Sequence, residues 1–232
     1  MSADLTPCPY GICDGSGFVI DDATNTASDC RCRPQRVAAA RARSLEARIP
    51  RKYRDVAFDR FPVTEIDPTV VDVVRRFCHD IEANLDAGRG MWLEGDPGTG
   101  KTTLAMLVSK SAIEARRTTA IYSLPRLMGV LRESIDSEDG LLGLLDRLAT
   151  VDLLHIDDLG AEHRTDWVNE QLYSIVNTRY EDQRSIVLTT NATADELEEQ
   201  IGARTVSRLV EMCGDPLALF GSDRRRELDP TL

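Results

Sequence analysis

The chain has 232 residues, 42% hydrophobic and 29% charged, with a formal net charge of −11 at pH 7. Such a length and composition fit one or two globular domains, and the acidic surplus excludes a protein that coats nucleic acid over most of its surface. No apolar run approaches the roughly 18 residues of a membrane span, and the polar start carries Cys8 instead of a basic-then-apolar leader. A cytoplasmic, reducing setting is therefore expected, in which disulfides are a poor account of the six cysteines.

Four of those cysteines fall in the stretch "CPYGICDGSGFVIDDATNTASDCRC". Cys8 and Cys13 are separated at the upper edge of the usual zinc spacing, and Cys30 and Cys32 more tightly than usual. The glycines after Cys13 suit a metal-binding turn. Residues 1–32 hold too few apolar side chains to fold unaided, so four thiolates on one tetrahedral Zn²⁺ would supply the missing folding energy; the alternative is a disordered, reduced cluster. Residues 33–49, "RPQRVAAARARSLEARI", predict an Ala- and Arg-rich helix that ends before Pro50. Residues 31–60 contain ten Arg or Lys against three Asp or Glu, a local +7 that leaves −18 for the remainder. This block is a partner-docking candidate or simply a solvated helix face. The expected division is residues 1–55 as a zinc-binding and basic-helix docking region, and 56–232 as a catalytic domain.

From about Val56 onward, strands are predicted at 91–94, 119–123, 151–156 and 185–190, with amphipathic helices between them, giving an α/β fold with a parallel sheet. "GDPGTGKT" matches the phosphate-loop pattern G-x-x-x-x-G-K-[ST]. Gly95, Gly98 and Gly100 leave backbone bare, so the amides of Asp96, Thr99 and their neighbours can surround phosphate oxygens, while Pro97 in the same loop has no N–H to give. Lys101 would reach the β- and γ-phosphates and Thr102 would place a hydroxyl on Mg²⁺, with Thr103 beside it at the helix start. The following helix shows Leu104, Leu107 and Val108 on one face.

"RLMGVLRESIDSEDGLLGLLDRLAT" predicts two short amphipathic helices carried by Leu127, Val130, Leu131, Leu141, Leu144, Leu145 and Leu148. Only Arg126, Arg132 and Arg147 are basic there and no aromatic is present for base stacking, so weak contact with single-stranded DNA is the most this insert suggests; packing on a neighbouring subunit is the alternative. In "VDLLHIDDLG" an apolar run ends at Asp157 and Asp158, where one carboxylate can hold Mg²⁺ through water and its neighbour can polarise an attacking water. The alternative is a turn-capping strand end. His155 is expected to pack against a helix. "SIVLTTN" ends in Thr189, Thr190 and Asn191; Asn191 either orients water at the γ-phosphate or belongs to a turn leading into a helix capped by Thr193. Cys78 and Cys213 read as ordinary buried thiols.

The order of phosphate loop, "LLHIDDLG", "NTRYEDQRSIVLTTN" and "IGARTVSRL", with "IPRKYRDVAFDRF" before the core, resembles the AAA+ ATPases of the DnaC/DnaI helicase-loader and IstB group over roughly residues 48–228. The resemblance implies a P-loop AAA+ fold and Mg²⁺-dependent ATP hydrolysis. It assigns Lys101 and Thr102 to nucleotide and Mg²⁺, Asp157 to Mg²⁺, and Asn191 to sensing the γ-phosphate. Arg208, with Arg204 a close competitor, becomes the finger that reaches a neighbouring subunit's nucleotide, so self-assembly is implied; solvation or pairing with Glu211 is the alternative. Arg225 matches the second sensor. Asp158 stands where many of these proteins have Glu, so slow hydrolysis is expected, and a full helical lid is not. The resemblance also implies a hexameric replicative helicase as partner, contacted by the zinc module, with weak grip on single-stranded DNA at the 125–149 insert. The leading function is ATP-dependent helicase loading; the alternatives are an IstB-like transposition helper and an ATP-binding adaptor that hydrolyses little.

Overall fold

The structure is a computed structural model that describes residues 7–21, 24, 26–34, 36, 49–137, 140–160, 165–221 and 223. Most of the predicted 33–49 helix lies outside the described residues, although 33, 34 and 36 are helical. The cysteine segment forms an antiparallel hairpin of β1 (Phe18–Asp21) and β2 (Thr26–Asp29), which the sparse apolar pattern did not predict. Its two strands are exposed at most positions, so the hairpin buries little of its own.

The larger unit opens with short 3₁₀ turns at Arg51–Tyr53 and Val63–Glu65. Helix α1 (Pro68–His79) follows an Asp67 cap that accepts the Thr69 amide, with Pro68 preset for the first turn. After α2 (Ile81–Asp86) come β3 (Met91–Gly95), α3 (Lys101–Glu114), β4 (Thr119–Ser123), α4 (Leu124–Ser134) and α5 (Gly140–Thr150). The chain continues through β5 (Leu153–Leu159), α6 (Asp166–Glu181), β6 (Ser185–Thr190), α7 (Ala194–Ile201), α8 (Ala203–Cys213) and β7 (Leu217–Leu219).

Five parallel strands line up as β4-β5-β6-β3-β7. Alternate residues of each strand serve opposite faces. Trp92, Leu154, Ile156, Ile186 and Leu188 join the apolar layer beneath α4 to α8. Leu93, Leu153 and Val187 join the layer beneath α1, α2 and α3. Both faces are covered, which is why these strands read as continuous apolar runs.

Three expectations change. The strand predicted at 151–156 begins at Leu153 and runs on through both aspartates to Leu159, because Asp152 leaves the ladder to hold the Thr118 amide and hydroxyl. A fifth strand, β7, escaped prediction because three residues are too few to show a period. Helix α3 is buried around most of its circumference, with Ala105, Met106, Ser109 and Ala112 enclosed as well as the expected Leu104, Leu107 and Val108. The insert does form two helices, with Leu127, Leu131, Leu144 and Leu148 buried and Val130, Leu141 and Leu145 packed against them. Among the described residues no helix is long and apolar enough to cross a membrane.

Candidate functional site

The loop after β3 is held by its neighbours on the carboxyl side of the sheet. The Asp96 amide donates to the Leu219 carbonyl at 3.0 Å, and the Asp96 carboxylate accepts the Gly221 amide at 3.0 Å. The backbone is left-handed at Gly98 (φ 78°) and Gly100 (φ 107°). A Cβ at Gly98 would strike the Asp223 carboxylate, and one at Gly100 would strike Ile66, so these two positions require glycine for space as well as for conformation. Buried Lys101 donates from Nζ to the carbonyls of Gly95 (2.8 Å) and Asp96 (2.6 Å), fixing its ammonium over the loop.

The carboxylates approach from β5. The β5–β6 register shifts between Ile156 and Leu159, and Asp158 sits at φ 62°. Such irregularities re-aim side chains. The Thr189 hydroxyl ties the pair together: it donates to Asp157 Oδ1 at 2.7 Å and accepts the Asp158 amide at 3.0 Å. Asn191 Nδ2 donates to Asp158 Oδ1 at 3.1 Å. The cap of α7 falls to Thr193, whose hydroxyl and Glu196 form a reciprocal capping box, leaving the Asn191 side chain for Asp158.

One cavity is lined by the loop from Pro97 through Thr103 together with Asp158 and Asn191, and is completed by Lys52, Tyr53, Pro62 and Ile66. The last four were not anticipated as site residues; their segment stood out in sequence only through "IPRKYRDVAFDRF". Asp157 stands one hydrogen bond behind, joined through Thr189. Behind it again, His155 is fully buried, with Nδ1 2.8 Å from Ser109 Oγ of α3 and Nε2 4.0 Å from Asp157 Oδ1. Burial lowers its pKa to about 4 against the opposing pull of Asp157, so the imidazole is neutral near pH 7. This helix-packed place is the one expected of it.

The distant arginines are not part of this cavity. Arg204 and Arg208 line a separate surface pocket with Tyr173, Tyr180 and Glu211. The Arg208 guanidinium lies 5.0 Å and 5.6 Å from the centroids of the Tyr173 and Tyr180 rings, and Tyr180, not an arginine, bonds Glu211 at 2.7 Å. Arg225 lies outside the described residues. Beside the insert, Arg132 sits 5.1 Å from the ring centroid of Trp167, so an aromatic does adjoin it although none lies within it.

At the hairpin, the sulfurs of Cys8, Cys13, Cys30 and Cys32 all lie within 4.8 Å of one another. The Cys8–Cys30 pair stands at 3.8 Å and Cys13–Cys32 at 3.6 Å. Four thiolates about 2.3 Å from one tetrahedral Zn²⁺ would be about 3.8 Å apart, so this donor set fits zinc. The thiols are unequal: the Cys13 amide is the main cause that brings Cys8 down to about 6, whereas burial pushes Cys32 up to about 12. Cys78 and Cys213 sit half-buried in helices, each with its thiol pKa raised by burial.

A glycine-rich loop between a parallel strand and a helix, with β6 set between that strand and the carboxylate-tipped β5, defines a P-loop ATP-binding domain of the AAA+ class. A crystal structure of the DnaC helicase loader superposes with a TM-score of 0.64 at 25% identity, covering 75% of this chain and all of that one. AMPPCP-bound DnaA from Aquifex aeolicus shares the fold, with a TM-score of 0.61 at 20% identity over 75% of this chain and 52% of its own. A family model described as IstB-like ATP binding protein matches residues 40–210, and the chain belongs to that family. Its relatives include the phage-like element PBSX protein XkdC of Bacillus subtilis, 29% identical over 82% of this chain and 73% of its own. The replicative helicase loader DnaI of the same organism is 27% identical over 60% of this chain, and the loader DnaC of Escherichia coli 23% over 68%. The match spans 48% of DnaI and 43% of another Bacillus subtilis relative, YqaM, which is 32% identical over 57% of this chain.

Proposed function

We propose that the chain is an ATP-dependent loader of a replicative helicase. The observation that carries this reading is the single cavity shared by the phosphate loop, Asp158 and Asn191, in a fold like that of DnaC and with relatives named as helicase loaders. Its Arg- and Cys-rich N-terminal region, outside the sheet, supports a separate docking role. In this reading residues 1–55 bind the helicase and residues 56–232 control release.

Lys101 binds the β- and γ-phosphates, while Gly95, Asp96, Pro97, Gly98, Thr99, Gly100 and Thr103 shape the loop around them. Thr102 and Asp157 would hold Mg²⁺, which supplies charge neutralisation on the phosphates when bound. Asp158 orients the attacking water and accepts its proton, with Asn191 fixing the Asp158 carboxylate. Asp158 is one methylene shorter than Glu, so turnover is slow. Arg208, or Arg204 beside it, reaches a neighbour's nucleotide and makes hydrolysis conditional on assembly, and Arg225 would serve as the second sensor. Cys8, Cys13, Cys30 and Cys32 would hold one Zn²⁺, which supplies folding energy to the hairpin.

Capture of purified hexameric helicase on the immobilised chain, with and without ATP, tests the reading; retention that changes with ATP supports it, and no retention in either state contradicts it. The family match favours one second reading, an IstB-like transposition helper. Tight ATP-dependent binding to duplex DNA without helicase capture would select it.

A further inference from the structure

Ser109 is seven residues beyond Thr102 on α3, so the two lie near one face of that helix. His155 and Asp157 are two apart on β5 and share one face of that strand up to the register shift. A polar row thus runs from buried Ser109 and His155 to half-buried Asp157, and Thr189 meets Asp157 from β6.

His155 Nε2 is buried and makes no hydrogen bond at its 4.0 Å separation from Asp157 Oδ1. A buried donor or acceptor left unbonded costs about 1–3 kcal/mol. An apolar side chain would avoid that cost in a strand whose neighbours Leu154 and Ile156 are apolar. A neutral imidazole carries one proton on one of two nitrogens. With that proton on Nδ1, the Nε2 lone pair would face the Asp157 carboxylate and be repelled. With it on Nε2, an N–H faces the carboxylate, and the rotatable Ser109 hydroxyl donates to bare Nδ1. The second arrangement is therefore preferred.

We propose that His155 is a positioning residue for Asp157: Ser109 fixes its tautomer, and Nε2–H joins the Thr189 hydroxyl in holding Oδ1, which turns the second carboxylate oxygen toward the cation that accompanies ATP. About 1 Å of side-chain movement brings Nε2 and Oδ1 to hydrogen-bond distance. Donors behind a ligating carboxylate fix its orientation as those behind metal-bound histidines do. The inference rests on the Mg²⁺–ATP reading above.

The test uses the full chain and a fluorescent ATP analogue, titrated in EDTA and across a Mg²⁺ series, with kcat and KM measured alongside. His155→Leu should raise the Mg²⁺ concentration needed for half-maximal effect about tenfold, as expected for losing one hydrogen bond to a charged group. Its nucleotide affinity in EDTA should stay at the wild-type value, its melting midpoint should change little because removal of the unbonded Nε2 offsets the loss of the Ser109 bond, and kcat should fall with little change in KM. His155→Gln, which offers an amide N–H near the place of Nε2, should restore the Mg²⁺ response to within about threefold of wild type. Ser109→Ala gives an independent arm, with the same direction and a smaller shift. An unchanged Mg²⁺ response in His155→Leu, or in Ser109→Ala should the first variant not fold, overturns the proposal. So does an equal loss of affinity in EDTA, which would mark a general packing role. A wild-type chain with no Mg²⁺ response would instead overturn the reading on which the inference rests.

Discussion

At Asp158 a non-glycine residue is held in left-handed backbone by the Thr189 hydroxyl, which also grips Asp157. Such backbone persists where its surroundings hold it in place. Thr189→Val keeps the shape of the side chain and removes both bonds. Its kcat should fall about tenfold or more, in line with the loss of a bond to a charged group, while ATP binding measured by titration changes less than about threefold. Asp158→Asn tolerates the same backbone but accepts no proton; its turnover should fall while ATP still binds, and loss of ATP binding would contradict the proposed role. Lys101→Ala and Asp157→Ala should each abolish hydrolysis. Arg208 rests against two tyrosine rings, away from its own chain's phosphate loop. Mixing Arg208→Ala with Lys101→Ala should therefore recover activity in a hydrolysis assay, because some interfaces then combine an intact loop with an intact arginine. No recovery in assembled mixtures would move the role to Arg204.

Among the elements, α6 carries a residue that fixes several others. Arg179 is fully buried and donates to the carbonyls of Leu148 (2.6 Å), Ala149 (3.3 Å), Val151 (2.9 Å), Asp152 (3.3 Å) and Ser185 (2.5 Å). It ties the end of α5 to the starts of β5 and β6, and so sets where β5 delivers its aspartates. Arg179→Leu leaves these buried acceptors without a donor and should destabilise the chain by about 3 kcal/mol or more, a fall of roughly 6–12 °C in a thermal melt. Nothing in "NTRYEDQRS" announces this, since an arginine on a helix ordinarily points to water. The four long strands and both insert helices were legible because continuous apolar runs and 3.6-residue periods carry over to the buried faces of strands and helices. Strand β7 and the β5 irregularity were not. Both are set by pairing across the sheet, through Gly95 with Leu219 and through Asp158 with Thr189. Likewise Gly98, Lys101 and Asp158 stood out from local spacing, whereas Tyr53 and Ile66 join the cavity only after the chain has folded over it.

For the whole molecule, the sheet order puts the phosphate loop between β6 and β7, in the crevice at the carboxyl ends where ligands bind in open α/β sheets. The cysteine hairpin forms a sheet separate from this one, and in the proposed reading one Zn²⁺ stabilises it. Metal analysis should find about one zinc per chain, and less than about half would remove the site. Cys8→Ser combined with Cys13→Ser should release the metal and abolish helicase capture while leaving ATP binding nearly intact; normal capture by this variant would end the docking role of the hairpin.

Whether ATP use by this chain places a helicase on DNA is read out by loading onto closed circular single-stranded DNA. Purified hexameric helicase, the full chain and ATP are incubated with the circles, and helicase that co-purifies with them is measured. Efficient deposition is expected with the wild-type chain and ATP, and little without ATP, with Lys101→Ala or with the Cys8→Ser, Cys13→Ser variant. Equal deposition with and without the wild-type chain, or full deposition by Lys101→Ala, would contradict the proposed loading role.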